Sequence, residues 1–271
     1  MRNFEIETFE EADAYDKHSD QQYNCGLLLI KELGIKQGSI VLDIGAGTGR
    51  LGLYVGGLIG REGSYFGIDL SPERINITKK KAEVLNASNL FFEVGNGTDL
   101  SHFADGFFDV VYMNSVFHWI KDKRKTCREC YRVLKPGGRF GFAMQIKNLP
   151  RNNVIEIADT VLKKRGYNIS FSNPDNYPIT VDEARGILKE TGFLLKNIGI
   201  RKIKDNFGSL EEEVDSIISG TTHRNFLKNV PLNEHPEIRN EIVAELKKIE
   251  TEEGFNLIRN KLYVLAEKGS N

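Results

Sequence analysis

Residues 39–60 carry the clearest pattern of apolar and polar positions in the chain. Ser39-Ile40-Val41-Leu42-Asp43-Ile44 is a short aliphatic, β-branched run of the kind that makes a strand buried on both faces. Glycines follow at 45, 47 and 49, and Leu51, Leu53, Tyr54 and Leu58 then recur at helical spacing up to Gly60. The alternation repeats. A second strand runs from about Ser64 to Gly67-Ile68-Asp69, and Ser71-Pro72-Glu73 opens the next helix with an N-cap, a proline at the first helical position and an early acid. A third strand is expected near Leu90–Val94, a fourth over Phe107–Val111, and a fifth ending near Met144. Strands alternating with helices predict an α/β layer structure built on a parallel sheet.

The flanks read less regularly. Leu27, Leu28, Ile30 and Leu33 mark a helix that stops at Gly34, ahead of the first strand. Beyond residue 145, Val154, Ile155, Ala158, Val161 and Leu162 mark another, and Phe171 to Pro178 reads as loop. Thr180 with Glu183 forms a capping box for a helix ending at Gly192, and Phe193–Ile203 is a sixth strand. Ser209 with Glu212 repeats the cap before a helix through Val214, Ile217 and Ile218. A longer helix is expected near Pro236–Glu250, with Ile238, Ile242, Leu246 and Ile249 on one face, and Lys261–Ala266 is the seventh strand.

With 40% hydrophobic and 28% charged residues in 271, the chain has an ordinary globular composition. A formal net charge of -1 offers no global attraction for nucleic acid, and Lys79-Lys80-Lys81 is read as a solvated helix face. No apolar run is long enough for a bilayer, and Met1-Arg2-Asn3-Phe4-Glu5 lacks the apolar core of a secretion signal, so no membrane contact and a cytoplasmic location are expected. Cys127 and Cys130 form a lone C-x-x-C on a helix; without two partner ligands it is read as packing, and no metal is expected.

The chemistry centres on the glycine turn, where a ligand can rest against bare backbone because no Cβ intervenes. The dinucleotide fingerprint is G-x-G-x-x-G, whereas here the spacing is G-x-G-x-G and Arg50 stands where that pattern needs glycine. Val41 to Gly49 thus resembles the first motif of the class I S-adenosylmethionine-dependent methyltransferases. Phe107-Phe108-Asp109-Val110-Val111 and Tyr131-Arg132-Val133-Leu134-Lys135-Pro136-Gly137-Gly138 resemble later motifs of the same superfamily, in the same order. The resemblance implies a Rossmann-like seven-stranded, mostly parallel sheet with helices on both faces, the last strand antiparallel, and helical lid insertions in the C-terminal half. It implies S-adenosylmethionine as cofactor, S-adenosylhomocysteine as product, and a cofactor site at Asp43, Gly45, Ala46, Gly47 and Gly49. To these it adds Asp69 and Leu70 at the ribose, Asn96 and Gly97 near the adenine, and Asn114. Many members have an acid where this chain has Asn96; its side-chain oxygen can accept the same bond. A single domain is expected. It would comprise an N-terminal lid and helix (1–36), a cofactor core (37–145), cap or acceptor elements (146–192 and 205–255) and closing strands (193–204 and 256–268).

Tyr15-x-x-x-Ser19-x-x-Gln22 before the first long helix resembles a small-molecule subgroup that includes trans-aconitate and juvenile hormone acid methyltransferases. That implies that Tyr15, Ser19 and Gln22 face the site, Tyr15 on the cofactor and Gln22 on the catalytic side; the alternative is that Ser19 and Gln22 only cap the helix. After the fourth strand, Asn114-Ser115-Val116-Phe117-His118-Trp119 lacks the Pro-Pro-Tyr clamp of base-modifying enzymes. His118 would suit a hydroxyl or amine acceptor as general base, and Trp119 would pack over a sulfonium or an apolar acceptor; both also have structural readings. Tyr167, Phe171, Tyr177, His223 and Phe226 are unranked acceptor-pocket candidates. Methyl transfer to a small molecule, a carboxylate first, is the expected function. The rivals are an S-adenosylmethionine-binding regulatory protein, transfer to an amine, phenol or thiol, and an NAD-linked oxidoreductase. Arsenite methylation relies on placed cysteines, and Cys25, Cys127 and Cys130 do not follow that family's pattern.

Overall fold

The computed structural model describes residues 7–17, 19–149, 153–168, 176–205, 210–211, 214–215, 227, 230–249 and 257–270. They divide into two compact units. The first comprises residues 1–147, 175–200 and 262–271, and the second residues 148–174 and 201–261.

The first unit holds the strands β1 (Ile40–Ile44), β2 (Ser64–Asp69), β3 (Leu90–Val94), β4 (Phe108–Asn114) and β5 (Leu134–Gln145). With β6 (Leu194–Asp205) and β7 (Leu257–Glu267) they form one sheet in the order β3-β2-β1-β4-β5-β7-β6. β1 pairs in parallel with both β2 and β4. The order therefore reverses at β1, placing a switch point between the tips of β1 and β4, where open α/β sheets leave a ligand crevice. The Gly137 amide donates to Lys268 O and the Lys268 amide to Gly138 O, so the end of β7 runs antiparallel beside the start of β5. β5 begins earlier than the expected fifth strand: Leu134 already pairs with Phe108, and a bulge absorbs Pro136-Gly137-Gly138.

Helices α1 (Phe9–Lys17), α2 (Asp20–Leu33), α3 (Arg50–Ile59), α4 (Pro72–Val84), α5 (Lys123–Val133) and α7 (Val181–Glu190) belong to this unit. Its core joins Leu42, Phe108, Phe140 and Phe142 of the sheet to Cys127 and Cys130 of α5 and Ile187 and Leu188 of α7. The C-x-x-C is thus packing, and each of those phenyl rings contributes about 1.5–3 kcal/mol by burial. Residues 175–200, with α7, fall in the first unit, whereas the expected cap ran through residue 192. The capping box of α7 is formed, with Thr180 Oγ1 accepting the Glu183 amide and Glu183 accepting the Thr180 amide.

Three apolar faces are rotated or shortened relative to the sequence reading. α3 buries Leu51, Gly52, Val55 and Ile59, while Tyr54 and Leu58 are exposed. α2 buries Cys25, Gly26, Leu29, Ile30 and Leu33 and exposes Leu28. In both, a glycine and small residues let the helix approach the sheet along a face that a count of large residues misses. In the second unit, α8 (His235–Lys247) buries Ile238, Ile242 and Leu246 but ends before the exposed Ile249. α8 packs there with α6 (Asn153–Lys164), whose Val154, Ala158, Val161 and Leu162 share one cluster with it. Arg165 joins the two by pairing with Glu241 at 2.6 Å. The caps and apolar positions expected at Ser209, Glu212, Ile217 and Ile218, and the residues Phe171, His223 and Phe226, lie outside the described residues.

Candidate cofactor site

The crevice at the switch point lies in the first unit and is lined on the sheet side by Asp43, Gly45, Ala46, Thr48, Arg50, Leu51 and Asn114. Its other wall comes from α1 and α2, through Tyr15, Ser19, Gln22 and Tyr23. Gly26 explains how α2 comes so near: a Cβ there would stand 2.9 Å from Asn114 Nδ2 and 2.3 Å from a Leu51 methyl. The Asn114 amide donates to Gln22 O at 2.7 Å, fixing the helix to the tip of β4. Ser115, immediately after, adopts φ 60 and turns the chain away.

Gly45, Gly47 and Gly49 all have positive φ, at 83°, 58° and 78°. The resulting loop folds back on β2. Gly45 and Ala46 both donate their amides to Ile68 O, at 2.7 and 3.0 Å, Gly47 donates to Asp69 Oδ2 at 2.8 Å, and Gly49 to Ala46 O at 3.1 Å. These four amides are committed inside the protein. A pyrophosphate needs such groups aimed outward at the helix N-terminus.

The exposed chemistry of the crevice has the opposite sense. Asp43 is buried, and one of its oxygens accepts the hydroxyls of Tyr65 and Tyr112, each at 2.7 Å. Among the described residues the other, Oδ1, has no partner, and the same holds for Gln22 Oε1 and Asn114 Oδ1. Burial pushes the Asp43 carboxyl up to about 7, with the two tyrosine hydrogen bonds lowering it and the Asp69 charge raising it. A buried acceptor without a donor costs about 1–3 kcal/mol, so three around one crevice mark a place for a donor-bearing, cationic group. S-adenosylmethionine carries an ammonium and a sulfonium, and the residues present fit it: Asp43, Gln22 and Asn114 supply acceptors for the ammonium.

Asp69, the acid expected at the ribose, is buried at the tip of β2 and accepts the Ser71 amide at 3.0 Å with its second oxygen. Each oxygen keeps lone-pair capacity for a further donor. Leu70 follows it, half-buried. Asn96 is exposed and turns its side-chain oxygen back on Thr98, accepting from its amide and hydroxyl at 3.0 Å each, while Gly97 is buried against Ile44. Neither is among the crevice-lining residues. Ser19 stands at the N-cap of α2, but its hydroxyl makes no capping bond; it donates to Asp16 O and accepts from Arg50 at 3.2 Å. His118 and Trp119 form a short 3-10 turn (Phe117–Trp119) beyond Asn114, His118 buried and Trp119 half-buried, and both stand outside the crevice lining. The His118 carbonyl accepts the Tyr177 amide at 2.6 Å, whereas Tyr167, in the second unit, donates its hydroxyl to Glu234.

Tyr15 was expected at the site, whereas the residues that hold it and the glycine turn, Glu7, Arg74, Asp16 and Lys81, escape a sequence reading. Tyr15 lies against Gly47 with the Arg74 guanidinium 4.0 Å over its ring, and Glu7 grips Arg74 and the Ser71 hydroxyl. Burial raises the Tyr15 hydroxyl above its ordinary value. Asp16 Oδ1 accepts from both Thr48 Oγ1 and Lys81 Nζ at 2.6 Å, so Lys81 latches α1 to the glycine turn and is no mere solvated lysine. A run of three lysines gives no sign of which one is used.

Residues 42–142 match a family model described as a methyltransferase domain. An arsenite methyltransferase of Aquipseudomonas alcaligenes is 37% identical over 131 residues, covering 46% of this chain and 37% of the relative. A demethylmenaquinone methyltransferase of Symbiobacterium thermophilum is 28% identical over 61% of this chain and 72% of its own. The fold is that of the YcgJ protein of Bacillus subtilis, with a TM-score of 0.61 at 20% identity, covering 92% of this chain and 99% of that one. The match thus spans little more than a third of the arsenite relative.

Proposed function

We propose, from the match of residues 42–142 to a methyltransferase domain, that this protein is an S-adenosylmethionine-dependent methyltransferase acting on a small-molecule acceptor. One observation carries the reading: the crevice at the switch point presents the unpaired acceptors of Asp43, Gln22 and Asn114 beside a glycine turn whose amides are already spent. That polarity suits a cation. It argues against a dinucleotide, as does Arg50 in place of the third fingerprint glycine.

The cofactor, when bound, supplies a methyl group on a sulfonium, ready for direct in-line displacement. The chain's task is to orient the acceptor lone pair and exclude water, which for well-placed groups accounts for up to about 7–11 kcal/mol. Asp69 and Leu70 are assigned to the ribose, Tyr15 to covering the glycine turn, and Asn96 and Gly97 to the adenine side. His118 and Trp119 are assigned to the acceptor side, and Gln22, first expected there, to the cofactor's ammonium. A carboxylate acceptor needs no base, whereas a hydroxyl or amine would give its proton to His118.

Among acceptors we place a carboxylate first, supported by the Tyr15, Ser19 and Gln22 pattern. Arsenite ranks lower although one relative bears that name. Thiolates bind arsenic, yet Cys25, Cys127 and Cys130 are all buried, none lines the crevice, and burial pushes the Cys127 thiol up to about 12. The deciding experiment is calorimetric titration with S-adenosylmethionine and S-adenosylhomocysteine, followed by a turnover screen of carboxylic acids, amines, phenols, thiols and arsenite. Binding with turnover of one class supports the proposal. Absence of binding would sink it, and binding with no turnover on any class would favour the regulatory alternative.

A further inference from the structure

The sheet face that carries Asn114 continues one strand further. Asn114, at the tip of β4, stands in register with Ala143 of β5, and β5 runs on to Gln145. Side chains two residues apart share a face, so Gln145 lies on the same side of the sheet as Ala143 and Asn114. Strand geometry puts it about 8 Å from Asn114, two residues on and one strand over. The intervening Phe142, Met144 and Ile146 go into the core against α5 and α7. A short extended segment closes beside this strand end. Ile146 bridges Ile179 in parallel, and the Lys147 amide donates to Ile179 O at 3.1 Å. Tyr177 precedes Pro178, which drives it to an extended conformation, and its amide donates to His118 O at 2.6 Å. Ile179 is buried in the core and the Tyr177 ring lies 5.8 Å from Lys123 Nζ at the start of α5, so alternation carries Asn176 to the other face. There Asn176 Nδ2 donates to Gln145 Oε1 at 2.9 Å. Asn176 Oδ1 is buried and, among the described residues, has no donor. An amide oxygen left in that state costs about 1–3 kcal/mol. The segment does not need it to hold its place, because backbone bonds already tie it to His118 and to the end of β5. The open oxygen therefore marks a place for a ligand group, beside the turn that carries His118 and Trp119.

We propose that Asn176, oriented by Gln145, selects the methyl acceptor by accepting a hydrogen bond from a hydroxyl or amino group that the acceptor carries. The inference rests on the methyltransferase reading above and deepens it. The acceptor is then a small acid with an O–H or N–H donor apart from the carboxylate that receives the methyl group. An ionised carboxylate offers only lone pairs, as Asn176 Oδ1 does, so it is repelled from that oxygen and the donor end of the molecule is drawn to it. One contact thus orients the acceptor end for end. An acid of the same shape without the donor would leave Oδ1 buried and unpaired, and such a loss discriminates more strongly than a change of apolar bulk.

The test uses matched acids with and without the donor: propionate with lactate and alanine, phenylacetate with mandelate and phenylglycine, and benzoate with salicylate and anthranilate. Calorimetric titration with S-adenosylmethionine comes first, and release of S-adenosylhomocysteine is then followed on each acid. In the wild type at least one donor-bearing acid is expected to exceed its parent about 100-fold in kcat/KM. Asn176→Leu should bring that pair to within about threefold, the preference resting on the lost acceptor. Its affinity for S-adenosylmethionine should be unchanged, since Asn176 stands outside the crevice lining, and that result certifies the fold. Asn176→Asp keeps an acceptor oxygen, to which the Gln145 amide can turn and donate, and should retain the preference. A wild type that binds S-adenosylmethionine but methylates no donor-bearing acid of the panel, or methylates the parents equally well, overturns the inference. So does an Asn176→Leu protein that keeps the preference or loses cofactor affinity, and so does an Asn176→Asp protein that loses the preference. A wild type that does not bind S-adenosylmethionine fails at the earlier step, the cofactor reading itself, before any acid is added.

Discussion

The Gly47 amide donates to Asp69 Oδ2 at 2.8 Å, joining the middle glycine of the turn to the acid at the tip of β2. The same carboxylate holds the Ser71 amide, where α4 begins. Asp69 therefore shapes the loop as well as offering lone pairs to a ribose. Asp69→Ala is expected to weaken S-adenosylmethionine binding by about 1–3 kcal/mol and to lower the thermal midpoint, because two buried amides lose their acceptor. Calorimetry and a thermal melt read the two effects, and unchanged affinity would remove Asp69 from the site.

Asp43 makes the pH dependence specific. Its folded-state value is raised from 3.8 to about 7, chiefly by burial, against the opposing bonds from Tyr65 and Tyr112. Between those two values the folded chain holds a proton that the unfolded chain has lost, so stability falls as pH rises through the window and levels off above about 7. Across pH 5 to 7 the contribution is on the order of 2–3 kcal/mol. Asp43→Asn should lose this slope in urea unfolding curves taken at pH 5, 6 and 7. A cationic ligand favours the ionised form, so binding of S-adenosylmethionine at pH 6 should expel a proton. Titrations in buffers of different ionisation enthalpy would then disagree in apparent heat, and identical heats would mean that Asp43 does not meet the ammonium.

How much of this was legible in the sequence follows from what kind of signal each part leaves. Strand and helix order and the glycine turn depend on local periodicity and backbone freedom, so Val41–Gly49, Asp69 and the Thr180 capping box could be placed from spacing alone. The buried faces of α2 and α3 could not, because Gly26 and Gly52 bury themselves by close approach and carry no hydrophobic label. The contacts that build the second wall were invisible for a different reason. Glu7 to Arg74, Asp16 to Lys81 and Ser19 to Arg50 join residues 31 to 67 positions apart, and one charged residue among many gives no sign of its partner. Arg50 was noticed only as a departure from another fingerprint, although the structure puts it in the crevice wall.

The Asp16–Lys81 latch predicts a local opening. Lys81 Nζ reaches Asp16 Oδ1 at 2.6 Å and Thr48 O at 3.2 Å, with both partners of the ion pair partly exposed. Discounted for screening, the pair is worth about 1 kcal/mol. Lys81→Met should therefore speed hydrogen exchange of the α1 amides roughly fivefold, leaving the amides of β1 and β4 unchanged. Faster exchange throughout the first unit would instead show that Lys81 supports the whole fold.

His118 separates the acceptor classes. It follows Asn114 by four residues on the 3-10 turn, is buried, and has its backbone anchored by the Tyr177 amide. If the acceptor is a hydroxyl or an amine, a proton must leave as the methyl arrives, and His118→Gln should depress kcat about 100-fold or more and erase the acidic limb of the rate profile. Cofactor affinity should be untouched, since the imidazole stands outside the crevice lining. If the acceptor is a carboxylate, as proposed, the lone pair is already free, and the same substitution should leave the shape of the pH profile intact and change kcat by less than about tenfold. Steady-state rates of the two proteins from pH 5.5 to 8.5 on the acceptor found by screening distinguish the cases. A lost limb with a carboxylate substrate would contradict the base-free transfer and require His118 to act on the cofactor side.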